Sequence, residues 1–176
     1  LAVETAKANG SIISFDPNIR MFLWQDEDML RKMLHYGLSN CTVLKMSKDE
    51  AIYQSGICDP EAAMESILKN YPNISVAFLT LGEKGSMVFS GESKAYVDAM
   101  SQKNVVDTTG AGDAFYGVCL YYIAKCSISD LTMDKLAFIA ERANAAGSIV
   151  TGRYGSMRVM PDNIEIEETV RIQRKS

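Results

Sequence analysis

The stretch Val105-Val106-Asp107-Thr108-Thr109-Gly110-Ala111-Gly112-Asp113-Ala114-Phe115 decides how this chain is read. β-branched residues give way to a Gly-Ala-Gly turn. The turn runs directly into an apolar stripe of Phe115, Val118, Cys119, Tyr122, Ile123 and Cys126 at helical spacing. A helix that starts this way leaves its first backbone N–H groups unpaired, at the positive end of the helix dipole. Glycine lets an oxyanion approach without a Cβ in the way. Gly110, Ala111 and Gly112 therefore form a candidate anion hole suited to phosphate oxygens. Asp113 stands at its mouth, where a carboxylate repels such a ligand unless it takes a proton. A base that strips a hydroxyl attacking a terminal phosphoryl group needs that place. The plainer alternative is that Asp113 caps the helix and the glycines only turn the chain. The P-loop pattern GxxxxGK followed by Ser or Thr is absent. So is GxGxxG, since Phe115 holds its third position, which disfavours dinucleotide binding.

The remainder of the chain alternates strand-like and helix-like patterns. The short run Ser11-Ile12-Ile13-Ser14-Phe15 ends at Asp16-Pro17-Asn18. Met29, Leu30, Met33 and Leu34 predict a helix stopped by Gly37. Cys41 to Leu44, Ser75 to Thr80, Gly85 to Ser90 and Ala95 to Val97 read as strands, the third following a tight Gly82-Glu83-Lys84-Gly85 turn. Ser47 with Glu50 predicts a capping box opening a short helix. Asp59-Pro60 supplies an N-cap and an N1 proline for a helix reaching about Leu68. Leu136, Ile139, Ala140, Ala143, Gly147 and Ile149 make a further stripe, small enough for close helix packing. This order predicts an α/β fold of three layers, α/β/α, with a mostly parallel sheet that the hairpin makes mixed. No repeat or linker interrupts it, so residues 1–176 read as one domain. The charged tail from Glu165 is expected to be a terminal helix or to fray.

Composition narrows the function. A chain of 176 residues, 47% apolar and 23% charged, suits one domain able to bury roughly 70% of its unfolded surface. Twelve glycines and four prolines exclude collagenous and low-complexity classes. Eighteen basic against 22 acidic residues leave a net charge of −4, and so no basic field for nucleic acid or anionic lipid. Apolar runs are too short to span a membrane. Cys41, Cys58, Cys119 and Cys126 show no zinc-ligand spacing and are expected as reduced, mostly buried side chains in a cytoplasmic protein. His35 is the only histidine, so Ser-His-Asp or Cys-His catalysis would have to run through it. Its place before Gly37 reads as a solvated or cap-side imidazole. Residues 1–9 read like a helix entered midway, and the chain is expected to be the later part of a longer protein.

Asp-Thr-Thr-Gly-Ala-Gly-Asp-Ala-Phe resembles the second signature of the PfkB, ribokinase-like carbohydrate kinases. Phe15-Asp16-Pro17-Asn18-Ile19-Arg20 with Leu23-Trp24 is similar to the fructokinase and 2-keto-3-deoxygluconate kinase branch. Leu44-Lys45-Met46-Ser47-Lys48-Asp49-Glu50 resembles that branch's segment feeding the nucleotide phosphates. Thr80-Leu81-Gly82-Glu83-Lys84-Gly85 resembles its nucleotide loop, and Ala143-Asn144-Ala145-Ala146 the helix beside the adenine.

The resemblance implies a ribokinase-like fold lacking its N-terminal part and lid. It also implies transfer of the γ-phosphoryl group of ATP to a sugar or sugar-acid hydroxyl, with Mg2+. Asp113 would be the catalytic base and Gly110 to Gly112 the anion hole. Ser47, Thr80, Gly82, Gly85 and Asn144 would line the nucleotide, and Glu50 would act on metal and phosphate. Ser47 departs from the family's Asn at that place. Asp107 and Thr109 match positions that hold a monovalent cation, K+, in ribokinase, a dependence this branch need not share. Arg20 is a candidate phosphate or carboxylate contact, or a surface arginine. Ser47 and Glu50 have the capping box as their alternative role, Thr80 to Gly85 an ordinary hairpin turn, and Asn144 an exposed helix position. A homodimer is the expected assembly of the full-length protein. The rival reading is a non-catalytic nucleotide-binding module that keeps the ATP cleft.

Overall fold

The computed structural model describes residues 1–102 and 104–175. Its strands form one five-stranded sheet in the order β1-β2-β3-β4-β5, and the chain divides into two units. The first comprises Leu1–Thr80 with Phe89–Glu92, and the second Leu81–Val88 with the chain from Ser93 onward.

In the first unit, α1 (Ala2–Ala8) buries nothing. Then follow β1 (Ser14–Phe15), α2 (Glu27–Asn40), β2 (Val43–Ser47), α3 (Lys48–Ser55), α4 (Pro60–Asn70) and β3 (Val76–Thr80). β1, β2 and β3 are parallel, with Ser14 opposite Val43 and Val43 opposite Val76. Parallel strands need a crossover between them; α2 provides the first, α3 and α4 the second. β2 and β3 are buried over four of their five residues, which is why they read as continuous apolar runs without alternation.

Two expectations for α2 need correction. Its buried face is Leu30, Leu34 and Leu38, while Met29 and Met33 lie outward. Gly37 does not stop the helix, which continues to Asn40 and ends where Cys41 turns extended. A Cβ on Gly37 would overlap the ring of Phe15, so glycine is there to let β1 approach the helix. The caps are as anticipated. Ser47 and Glu50 make the capping box of α3, and Asp59 Oδ1 accepts the Ala62 N–H at 2.8 Å, with Pro60 at the first turn of α4.

The second unit holds β5 (Ser93–Val97), α5 (Ala111–Ile123), α6 (Met133–Thr151) and α7 (Asn163–Gln173), and β4 (Ser86–Ser90) begins in it. The turn at Gly82–Lys84, closed by Leu81 N–H on the Gly85 carbonyl at 2.8 Å, reverses the chain and produces the expected mixed sheet. Ala114, Ala145, Ala146, Val150, Ile166 and Val170 pack together. The small stripe of α6 serves close approach, since a Cβ on Gly147 would sit 3.3 Å from the Ala111 carbonyl oxygen. α5 ends at Ile123, so Cys126 lies beyond the stripe that the sequence assigned to it. The charged tail is helical as far as Gln173. Asp162 and Glu165 cap α7 reciprocally, and buried Arg142 of α6 donates to both carboxylate oxygens of Glu167 at 2.6 and 2.8 Å.

All four cysteines are free thiols. Burial pushes the Cys41 thiol up to about 12, leaving it unreactive; Cys58 alone is exposed.

Candidate active site

The residues just before α5 form no strand; the Val106 and Asp107 N–H groups both donate to the Thr151 carbonyl, at 2.8 and 3.2 Å. Gly110 is the N-cap, at φ +82, a conformation that costs a residue with a Cβ about 1–2 kcal/mol. Its side-chain face is filled, since a Cβ there would sit 3.0 Å from the Ser156 Cβ and 3.4 Å from the Met160 Cε. The Ala111 N–H donates to the Thr108 carbonyl at 3.3 Å and the Ala114 N–H to Gly110 at 2.8 Å. The N–H groups of Gly110, Gly112 and Asp113 donate to no described residue. The available donors of this helix start are therefore Gly110, Gly112 and Asp113, with Ala111 half spent.

Asp113 is exposed in the first turn, and its carboxylate accepts no hydrogen bond from a described residue. The capping alternative thus has no bond behind it. An unengaged carboxylate beside free amides is a poor structural device.

Asp107 is committed locally. Its Oδ1 accepts the Thr109 N–H at 2.9 Å and its Oδ2 the Gly155 N–H at 3.3 Å. The Thr109 hydroxyl first, then these two amides, hold the carboxyl below the usual range. A lowered folded value adds stability at pH above the unfolded value, about 3.9, and loses it as pH falls through the folded value. The gap in stability between wild type and Asp107→Asn should therefore be largest above about pH 4 and close on acidification. Urea unfolding at a series of pH values measures it, and a gap that widens on acidification contradicts the assignment.

Gly85 and Asn144 converge on one segment. A Cβ on Gly85 would overlap the Val97 carbonyl oxygen and fall 2.5 Å from the Ala99 nitrogen. Asn144, 9% exposed, donates from Nδ2 to the carbonyls of Val97 and Asp98 at 3.1 and 3.0 Å. Asn144 is thus not the exposed helix polar group that was its alternative; it ties α6 to the chain after β5. Gly82, by contrast, is exposed at φ +65 with nothing within 4 Å of a Cβ position.

In the first unit, Ser47 and Thr80 are register partners at the carboxyl ends of β2 and β3, the end at which open parallel sheets bind ligands. Glu50 belongs to the same edge. Its Oε2 accepts the Ser47 N–H at 2.8 Å and the Ser47 hydroxyl at 2.9 Å, and its Oε1 the Ile19 N–H at 2.7 Å. The capping box and a placement suited to ligand binding coexist. Arg20 is exposed, and its side chain bonds to no described residue. His35 sits within α2, its Nδ1 3.0 Å from the Tyr71 hydroxyl, with no Ser or Cys nucleophile in that bond. Sequence reasoning did not single out the Asp16–Lys45 ion pair or the Gly155 amide on Asp107. The signal for the first was a lysine inside the apolar run Val43–Ser47.

Among the described residues no group of three or more His, Cys, Asp or Glu side chains is placed to hold a metal ion. The donor set fits Mg2+ of the kind that keeps its waters and relies on one carboxylate plus substrate phosphates. No helix of described residues is long and apolar enough to cross a membrane.

These features belong to an α/β protein, and residues 1–163 match the model of the pfkB family of carbohydrate kinases. The chain belongs to that family. Rice (Oryza sativa subsp. japonica) fructokinase-2 is 33% identical over 170 residues, which cover 96% of this chain and 50% of that protein. The fructokinase of Vibrio cholerae O395, solved with fructose, ADP and calcium ion, superposes with a TM-score of 0.87 at 27% identity, over 96% of this chain and 54% of its own. A double mutant of that enzyme was solved with fructose, ADP and potassium ion. An E. coli protein solved in complex with ATP and Mg2+ superposes with a TM-score of 0.82 at 29% identity, over 97% of this chain and 52% of its own. The fold is the ribokinase-like α/β fold. The chain spans about half the length of the relatives it matches.

Proposed function

We propose that this chain carries the nucleotide-binding and catalytic part of an ATP-dependent kinase for a fructose-like sugar or sugar acid. The observation that carries the reading is the start of α5, where three free amides stand beside an unengaged carboxylate. The Gly110, Gly112 and Asp113 amides receive the charge that builds on the transferring phosphoryl group. Asp113 takes the proton of the acceptor hydroxyl as its oxygen attacks the γ-phosphorus, and ADP leaves on the opposite side. Positioning and electrostatics carry the rate, with no covalent enzyme intermediate.

Ser47 and Thr80 support the phosphate chain from the carboxyl edge of the sheet, and Gly82 offers open backbone to the nucleotide. Gly85 and Asn144, in the second unit, hold Val97 and Asp98. Glu50 is the carboxylate that would hold Mg2+ through water; when bound, the ion neutralises phosphate charge. Asp107 and Thr109 fix the turn into α5, and a monovalent cation beside them rests on the potassium-bearing relative. Arg20, exposed and unengaged, is free to meet an acidic group of either substrate. This chain alone is expected to bind nucleotide without turning over sugar, so the test is sugar-dependent ADP release by the full-length protein, with ATP and Mg2+ over a panel of fructose, ribose and 2-keto-3-deoxygluconate. Turnover strongest on fructose is the expected result; nucleotide binding without turnover on any sugar favours the binding-module alternative.

A further inference from the structure

Lys45 lies in the middle of β2 with 7% of its surface exposed, an uncommon place for an ammonium. Its Nζ donates to both carboxylate oxygens of Asp16, at 3.2 and 3.0 Å. Burial pushes the Asp16 carboxyl up against the pull of Lys45. A buried pair of this kind is a weak stabiliser, since two apolar side chains commonly serve a strand as well. Its visible effect is geometric: it anchors the start of the Asp16–Ile19 turn.

The other end of the turn is anchored by the Ile19 N–H on Glu50 Oε1. Between the anchors Asn18 sits at φ +43, a conformation that residues with a Cβ adopt sparingly. The segment is thus held at both ends, with Asn18 tolerating the left-handed conformation between them. A carboxylate has about four acceptor sites. Ile19 and Ser47 occupy three of those on Glu50, which fixes the direction of what remains.

We infer that Asp16 and Lys45 are positioning residues: their pair holds the Ile19 N–H on Glu50 and so aims the Glu50 carboxylate at the metal and phosphate it serves. The inference rests on the kinase reading of Glu50. Two readouts test it on the active protein: hydrogen-exchange protection of the Ile19 amide, and the Mg2+ concentration giving half-maximal sugar phosphorylation. The double variant Asp16→Asn with Lys45→Met removes both charges together, so neither is left buried alone. It should lose Ile19 protection and raise the Mg2+ requirement about 10- to 100-fold, in the same direction as Glu50→Gln. Asp16→Asn alone keeps an acceptor for Lys45 and should show the same two changes at smaller size, which preserves the test should the double variant not fold. A full-length wild type with no sugar turnover removes the kinase reading and this inference together. An active wild type whose folded variants keep its Mg2+ half-saturation and Ile19 protection overturns this inference alone.

Discussion

Asp113→Asn is expected to lower kcat for sugar phosphorylation by about 10²–10⁴-fold, with ATP binding retained. Asparagine matches aspartate in size but cannot accept the hydroxyl proton. The comparison is unusually clean because the Asp113 carboxylate is exposed and bonds to no described residue. The one structural contribution lost is that of an acidic group in the first turn of α5, worth about 0.3–1 kcal/mol at an exposed helix start. A fall in rate of this size in a variant whose melting midpoint moves by only a few degrees therefore reports chemistry. The free amides of Gly110, Gly112 and Asp113 survive the substitution, so nucleotide binding should too. Calorimetry with a non-hydrolysable ATP analogue checks that half, and steady-state ADP release checks the other. Wild-type turnover in the variant would remove Asp113 from the role of base.

What the sequence made legible was local. A capping box is a three-residue spacing, so Ser47 and Glu50 could be read directly, as could Asp59-Pro60. The Gly-Ala-Gly turn into an apolar stripe marked the start of α5 for the same reason. Misreadings came from contacts with partners far along the chain. Gly37 has an ordinary helical backbone, and the cause of its being glycine is the ring of Phe15, twenty-two positions earlier. Asn144 carries no local sign that its amide is spent on Val97 and Asp98. Glu50 was legible as a cap, but its third donor, Ile19, comes from a different segment.

The pair Gly82 and Gly85 separates what a turn needs from what a ligand needs, and Gly85→Ala carries the larger effect on stability. Both glycines have positive φ, +65 and +102, so an alanine at either costs about 1–2 kcal/mol of backbone strain. At Gly82 nothing lies within 4 Å of the new methyl group, and the strain is the whole cost. At Gly85 the methyl meets the backbone of Val97, Asp98 and Ala99. Backbone is harder to move than a side-chain end, and overpacking adds about 1–3 kcal/mol. Gly85→Ala should therefore lose about 2–5 kcal/mol in urea unfolding, and Gly82→Ala much less. Nucleotide affinity should order the two differently among molecules that remain folded. Gly82 offers its open backbone to the ligand, so Gly82→Ala should weaken binding of an ATP analogue out of proportion to its small loss of stability. A Gly85→Ala protein that unfolds at the wild-type urea concentration would contradict the packing against Val97–Ala99. A Gly82→Ala protein with unchanged analogue affinity would take Gly82 out of the nucleotide site and leave it a plain turn residue.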